Sequence, residues 1–145
     1  MWKANKTING SFGRLWVNEK LLANTKSFEL KVKMDWENVT FPEELGEDYK
    51  YMGYSLSGTI VLSKMDSEMI HLYADGIQSG VLPEIRLVGR LADPAAFGAE
   101  RIAVEDVVFD ELTLMKFENK KIGEEEVPFK ARAYRFLDMI PRGVI

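Results

Sequence analysis

Lys26-Ser27-Phe28-Glu29-Leu30-Lys31-Val32-Lys33-Met34-Asp35-Trp36 decides how the rest of the chain is read. From Phe28 to Trp36 every second residue is large and apolar, and Glu29, Lys31, Lys33 and Asp35 stand between them. That period of two belongs to a β-strand, whose side chains point alternately to its two faces. One face must be buried and the other must meet water. Residues 54–63 repeat the pattern, with Tyr54, Leu56, Ile60 and Leu62 on one side and Ser55, Ser57, Thr59, Val61 and Ser63 on the other. Gly58 stands among the apolar positions, as it would where a neighbour approaches the backbone closely.

Working outward, residues 10–17 read as a first strand, followed by the turn-prone Asn18-Glu19-Lys20. Residues 37–53 break the alternation with Pro42, Gly46, a run of acids and the exposed-looking Phe41, Tyr49 and Tyr51. They are expected to form a long connection, of the kind that often carries function. Residues 67–79 read as a helix, with Asp66 or Ser67 as cap, Gly80 as stop, and Met69, Ile70, Tyr73, Ala74 and Ile77 as its apolar stripe. Leu72 falls away from that stripe and is expected to meet another chain.

Residues 84–91 form a strand and residues 91–98 a second loop. Residues 101–109 form a strand whose apolar phase shifts at Glu105-Asp106, as a bulge would make it. Strands at 112–117 and 127–136 are expected to bracket a charged tip at 118–126. The fold class is therefore mainly β with one α-helix, an antiparallel sandwich or partly closed barrel. Residues 1–145 read as a single domain, with contact arms at 1–9 and 141–145.

Composition narrows the function. The chain has 145 residues, 46% hydrophobic and 29% charged, with a formal charge of −4. It contains no cysteine and one histidine, which excludes disulfides, thiolate chemistry and sites needing two imidazoles. No apolar run approaches the roughly 18–20 residues of a membrane span. The polar start Met1-Trp2-Lys3-Ala4-Asn5 lacks the apolar core of a signal peptide, so a cytoplasmic protein is expected. On that footing the triplets Asn5-Lys6-Thr7 and Asn38-Val39-Thr40 are chance matches to a glycosylation site. No Lys/Arg stripe points to a grip on nucleic acid.

Chemistry-bearing motifs are weak. His71 lies on the polar side of the helix, with Asp75 as a surface neighbour. Gly53 and Gly58 have the glycine spacing of a phosphate loop, but Thr59-Ile60 replaces the required Lys-Ser/Thr. Glu43-Glu44 and Glu124-Glu125-Glu126 read as solvated tips rather than metal ligands. No pair of carboxylates stands out for glycoside hydrolysis. The expectation is no catalytic, cofactor or metal site. What remains is contact surface, because Trp2, Phe41, Tyr49, Tyr51 and Leu72 sit in exposed-looking segments and aromatics anchor interfaces.

Several stretches, in order along the chain, carry a resemblance: Asn9-Gly10-Ser11-Phe12-Gly13-Arg14-Leu15-Trp16, Tyr51-Met52-Gly53-Tyr54, Gly58-Thr59-Ile60, Leu91-Ala92-Asp93-Pro94, Phe97-Gly98-Ala99-Glu100-Arg101-Ile102, Phe109-Asp110-Glu111-Leu112-Thr113-Leu114, Lys121-Ile122-Gly123-Glu124 and Pro128-Phe129. Together they resemble the tail tube proteins of contractile phages, in particular those of PBSX-type prophages and R-type bacteriocin particles. The resemblance implies six-membered rings stacked into a hollow tube inside a contractile sheath, with a fold similar to the type VI secretion tube. It implies sheath, baseplate or tube-initiator and tape-measure proteins as partners, and transient, non-specific DNA passage or membrane breach, without insertion of the monomer into a membrane. It also implies a place in a virion tail or phage-tail-like particle, assembled in the bacterial cytoplasm.

Under that resemblance Glu29, Lys31, Lys33, Asp35, Ser55, Ser57, Thr59 and Ser63 are expected to face the lumen, with Glu29 and Asp35 pairing with the lysines across strands. Phe41, Pro42, Tyr49 and Tyr51 are expected to anchor a ring-stacking loop, and Trp2 and Leu72 to serve other interfaces. The competing readings are a monomeric β-barrel that binds a small apolar ligand and a hydrolase using acidic residues.

Overall fold

A computed structural model describes residues 2–142. Met1 and residues 143–145, the greater part of the expected C-terminal arm, lie outside the described residues. Two short 3-10 turns, Ala4–Lys6 and Gly10–Phe12, lead into β1 (Gly13–Val17), β2 (Lys20–Leu21), β3 (Thr25–Val39) and β4 (Asp48–Ser63). Helix α1 (Glu68–Ser79) follows, then β5 (Ile85–Leu91), β6 (Glu100–Phe109), β7 (Glu124–Ala131) and β8 (Ala133–Asp138).

All pairings are antiparallel. The sheet runs β2-β1-β5-β6-β7-β4-β3, with β8 on β6. β6 belongs to both halves: Arg101 to Glu105 pair with β8, whereas Val108 and Phe109 pair with β7. The switch falls at Glu105-Asp106, where Asp106 has φ 53° and the β5 register slips, so the expected bulge is where the sheet folds over. The outer strands β1 and β3 approach without pairing, and the barrel stays open between them.

The core fills the space inside this fold. Leu15, Val17, Ile60, Leu62, Leu87, Val104, Val107, Val127 and Phe129 are all buried within it. The rings of Phe28 and Phe129 stack 6.0 Å apart. Two glycines make room for them. A Cβ on Gly58 would come within 2.5 Å of the Phe129 ring and 2.1 Å of the Glu29 carbonyl, and one on Gly89 within 3.1 Å of Phe28. Gly58 therefore occupies its apolar position for the close approach its sequence context implies.

The helix departs from its expected stripe. Met69, Tyr73 and Gly76 are the buried residues, and Leu72 packs against the core, while Ile77 is exposed. Leu72 thus packs on the core while staying partly exposed. The next connection crosses close by, since a Cβ on Gly76 would meet Val81 and Leu82 at 2.7–3.0 Å. Tyr73 anchors the helix, accepting the Phe109 backbone N–H at 3.2 Å with the two rings 4.9 Å apart. Asp66 caps the first turn through the Glu68 N–H, and Gly80 closes it at φ 85°.

Three other expectations are corrected. The first strand begins at Gly13, and Asn18 and Glu19, both at positive φ, make a two-residue hairpin turn that adds the short β2. Residues 112–117 form no strand; the chain from 110 to 123 is irregular. The acids at 124–126 are not a solvated tip but open β7, and Glu125 is buried with Lys64 Nζ 3.1 Å from its carboxylate. Periodicity could not foresee a carboxylate on the inward side of a strand.

Candidate assembly surfaces

The long connection expected at 37–53 is mostly strand. β3 and β4 pair from Thr25↔Leu62 to Val39↔Asp48, leaving only 40–47 as the tip. β7 stops at Ala131, opposite Leu56. Beyond that point β3 and β4 have no third strand, so Lys33 to Ser55 project as a two-stranded arm. A bulge at Met52-Gly53, with Gly53 at φ 133°, keeps the faces in phase and places Trp36 opposite Tyr51. Proline, glycine and acids at the tip masked this alternation in the sequence.

One face of the arm and its continuation is polar. The register puts Glu29 beside Thr59, Lys31 beside Ser57, Lys33 beside Ser55, Asp35 beside Gly53, and Ser63 beside Glu124. All eight residues singled out in the sequence as polar alternates share this face, and β7 adds Lys130 and Glu126 to it. Lys31 pairs with Glu29 at 2.8 Å along its own strand rather than across strands, and Lys26 pairs with Glu124. Hydrogen bonding to Glu29 and its charge raise the Lys31 pKa, and Lys26 acts on Glu124 in the same way to lower it. Lysines 26, 31, 33, 50 and 130 stand against acids 29, 35, 37, 48, 124 and 126, so the face carries both signs in nearly equal number.

The opposite face is apolar from Phe28 to Trp36. Phe28 and Leu30 pack on the core, but Val32, Met34 and Trp36 continue the same row into solvent. Tyr54 and Tyr51 stand opposite Met34 and Trp36, and the Trp36 and Tyr51 rings meet edge-on at 5.4 Å. Tyr54 also meets Tyr134 at 6.2 Å, and Tyr134 meets Phe136 at 6.2 Å, so the row crosses the fork between the arm and β8. The Tyr134-Phe136 part escaped sequence reading. Its alternation was visible, but its exposure depends on β4 and β8 diverging. At the tip, Phe41 and Leu45 are exposed beside Pro42, and Tyr49 bonds to Glu47.

The N-terminal segment is tied down. Asp93 is buried; its carboxylate accepts the Asn9 and Ala95 backbone N–H groups, each at 2.9 Å. Trp2 lies edge-on to Phe97 at 5.8 Å, with Lys6 over the same ring, so Trp2 is half of a surface cluster with the 92–99 loop. His71 is exposed. Among the described residues no three His, Asp or Glu side chains converge as a metal site. The seam between β1 and β3 opens onto a depression of about 820 Å³ lined by Leu15, Phe28, Leu30, Leu91, Ile102 and Phe136 among others.

An open antiparallel barrel with a projecting β-arm, one helix and an unpartnered aromatic face presents a broad contact surface. Solved structures share the fold. The tube terminator of an extracellular contractile injection system, PVC, aligns over 94% of this chain and 100% of its own, with TM-score 0.77 and 13% identity. The PVC sheath-tube complex gives TM-score 0.75 at 12% identity, over 94% of this chain and 95% of that one. The Phage-like element PBSX protein XkdM of Bacillus subtilis (strain 168) is 31% identical over 129 residues, 88% of each chain. A family model described as "Phage tail tube protein" matches residues 1–138. The chain belongs to the phage tail tube protein family, and it is a structural subunit of the tail tube of a phage or phage-tail-like particle.

Proposed function

We propose that the subunits join in six-membered rings that stack into a hollow tube, with the polar face of β3, β4 and β7 lining the lumen. The observation that carries this reading is the apolar row from Val32 to Trp36, which continues the core outward with nothing of its own chain to cover it. A second copy completes that burial, and the free edge of β3 continues the sheet into its neighbour. The number six comes from the family resemblance.

A lumen wall of serine and threonine hydroxyls and balanced charges is wetted and does not hold DNA, because adhesion requires net phosphate neutralisation. The wall serves DNA passage in a phage and membrane breach in a bacteriocin-like particle. Phe41, Pro42, Tyr49 and Tyr51 serve ring stacking, and Trp2 serves a further interface with its 92–99 cluster. Sheath, baseplate or tube-initiator and tape-measure proteins are the partners. Assembly takes place in the bacterial cytoplasm, and the protein has no catalytic activity.

The alternative, a monomeric barrel holding a small apolar ligand in the open seam, leaves the exposed aromatic row without a use. Electron microscopy of the purified protein, concentrated and then seeded with baseplates, tests the proposal. Hollow tubes are the expected result. Globular particles under both conditions overturn it.

A further inference from the structure

Charged residues are sorted by type across this fold. Every cation on β3, β4 and β7 is a lysine, and every cation on β1, β5, β6 and β8 is an arginine. The arginines face outward on one sheet surface. Arg14, Arg90 and Arg101 are neighbours across β1, β5 and β6, while Arg86 and Arg135 flank them. Arg101 pairs with Asp138 at 2.6 Å and Arg86 approaches Glu105 at 4.0 Å, but Arg90 and Arg135 have no ion-pair partner among the described residues. Arg86, Arg90 and Arg101 line a depression of about 620 Å³ with Trp16, Val88 and the acids Glu19 and Asp138, the latter already paired with Arg101. Arginine suits such a surface: its flat guanidinium is weakly hydrated and binds carboxylates with two parallel hydrogen bonds.

The same chain presents the complement. Between Asp35 and Lys50 there is no cation, and the arm tip carries Glu43, Glu44, Glu47 and Asp48 beside the exposed Phe41 and Leu45. None of these four acids pairs with a cation of its own chain among the described residues. The arm runs beyond the end of β7 for about 20 Å at roughly 3.3 Å per residue. Its tip is placed to meet another molecule.

We propose that the arginine face of one subunit receives the acidic arm tip of a neighbouring copy, the tip's carboxylates meeting Arg90 and Arg135 and its Phe41 and Leu45 meeting the Trp16-Val88 floor. The proposal rests on the tube reading and adds to it the receptor for the arm. The contact is heterologous, tip to face, so it propagates through a polymer instead of closing a pair.

Charge reversal with full-length protein tests it. A face variant (Arg90→Glu with Arg135→Glu) and a tip variant (Glu43→Lys, Glu44→Lys and Glu47→Lys) are each checked for folding by circular dichroism and then concentrated. Each is expected to need at least ~10-fold more protein than wild type to form tubes, since close charge pairs across an interface couple strongly. An equimolar mixture of the two is expected to form tubes again, because each tip then finds an opposite face, and so is a chain carrying both reversals. If folded single variants polymerise like wild type, or if they fail and neither mixing nor the double reversal restores tubes, the proposal is wrong. The second pattern would assign the arginine face to an acidic partner other than this chain. Absence of tubes from wild-type protein, alone and seeded, would remove the tube reading and this proposal with it.

Discussion

Replacing Trp36 and Tyr51 with serine separates the stability of the subunit from that of the assembly. In the free chain Trp36 is 57% and Tyr51 48% exposed, and their edge-on pair sits on a two-stranded arm remote from the core. Within the monomer such a pair contributes about 1 kcal/mol, so the double variant should melt only a few degrees lower. In a tube the same rings are covered. With side chains of roughly 200–250 Å², those exposed fractions leave about 240 Å² still to bury, or about 6 kcal/mol at ~25 cal/mol per Å² as an upper bound. If only half is realised, ~3 kcal/mol raises the critical concentration for tube formation about 100-fold. Pelleting across a dilution series, with circular dichroism on the same samples, measures both quantities. Tubes from a folded variant at the wild-type concentration would refute the reasoning. Collapse of the monomer would do so too, since the rings would then belong to its own core.

Gly58→Val drives a side chain into the Glu29 carbonyl and the Phe129 ring, and it should cost the monomer about 3 kcal/mol in urea unfolding; a wild-type midpoint would mean that strands β3 and β7 are not where they are described. Asp93→Ala leaves the Asn9 and Ala95 amides without their acceptor, so hydrogen exchange should quicken in residues 2–12 and 94–98 and stay unchanged in α1. Lys26 holds the Glu124 pKa below its ordinary value, so the pair stabilises the fold above the usual carboxylate range and is lost as pH falls through the lowered pKa. Melting curves of Glu124→Gln and wild type should therefore differ slightly at neutral pH and converge in acid, the effect being small because both groups face solvent. A gap that persists in acid would assign the loss to something other than this ion pair.

The strands were legible where one face of each is buried within the subunit. Alternation at 26–36 and 54–63 located β3 and β4, and the phase slip at Glu105-Asp106 located the fold-over of β6. The same alternation hid the feature that matters most for assembly. Phe28, Leu30, Val32, Met34 and Trp36 form one uninterrupted row, yet the first two pack on the subunit's own core and the last three meet solvent. Nothing in the period distinguishes them, because the boundary is set by another strand, β7, ending opposite Leu56. Tertiary packing also overrode the local pattern at Leu72, which packs partly on the core, and at Glu125, whose inward carboxylate is satisfied by Lys64 from a distant turn. The polar alternates were grouped correctly onto one face, since grouping needs only register; which molecule that face meets is a matter of assembly.

Register also explains how one small domain can offer two charged faces of opposite use. Along β3 and β4 outward charges of both signs sit among serines and threonines, with Lys31 paired to Glu29 on its own strand and Lys26 to Glu124 on β7. Lysine keeps its hydration shell and serves such a wall well, because it remains wet whether or not a partner is near. Along β1, β5 and β6 the outward arginines stand in a row across strands, where like charges oppose one another. Within the monomer Arg101 of that row is paired with Asp138, while Arg14 and Arg90 have no ion-pair partner among the described residues. Further carboxylates would pair the remaining arginines, and the arm tip carries Glu43, Glu44, Glu47 and Asp48 without a cation of their own among the described residues. If the proposed contacts hold, the polar face meets the lumen and the tip meets the sheet, so the same strand register that hides the core also directs growth into a polymer.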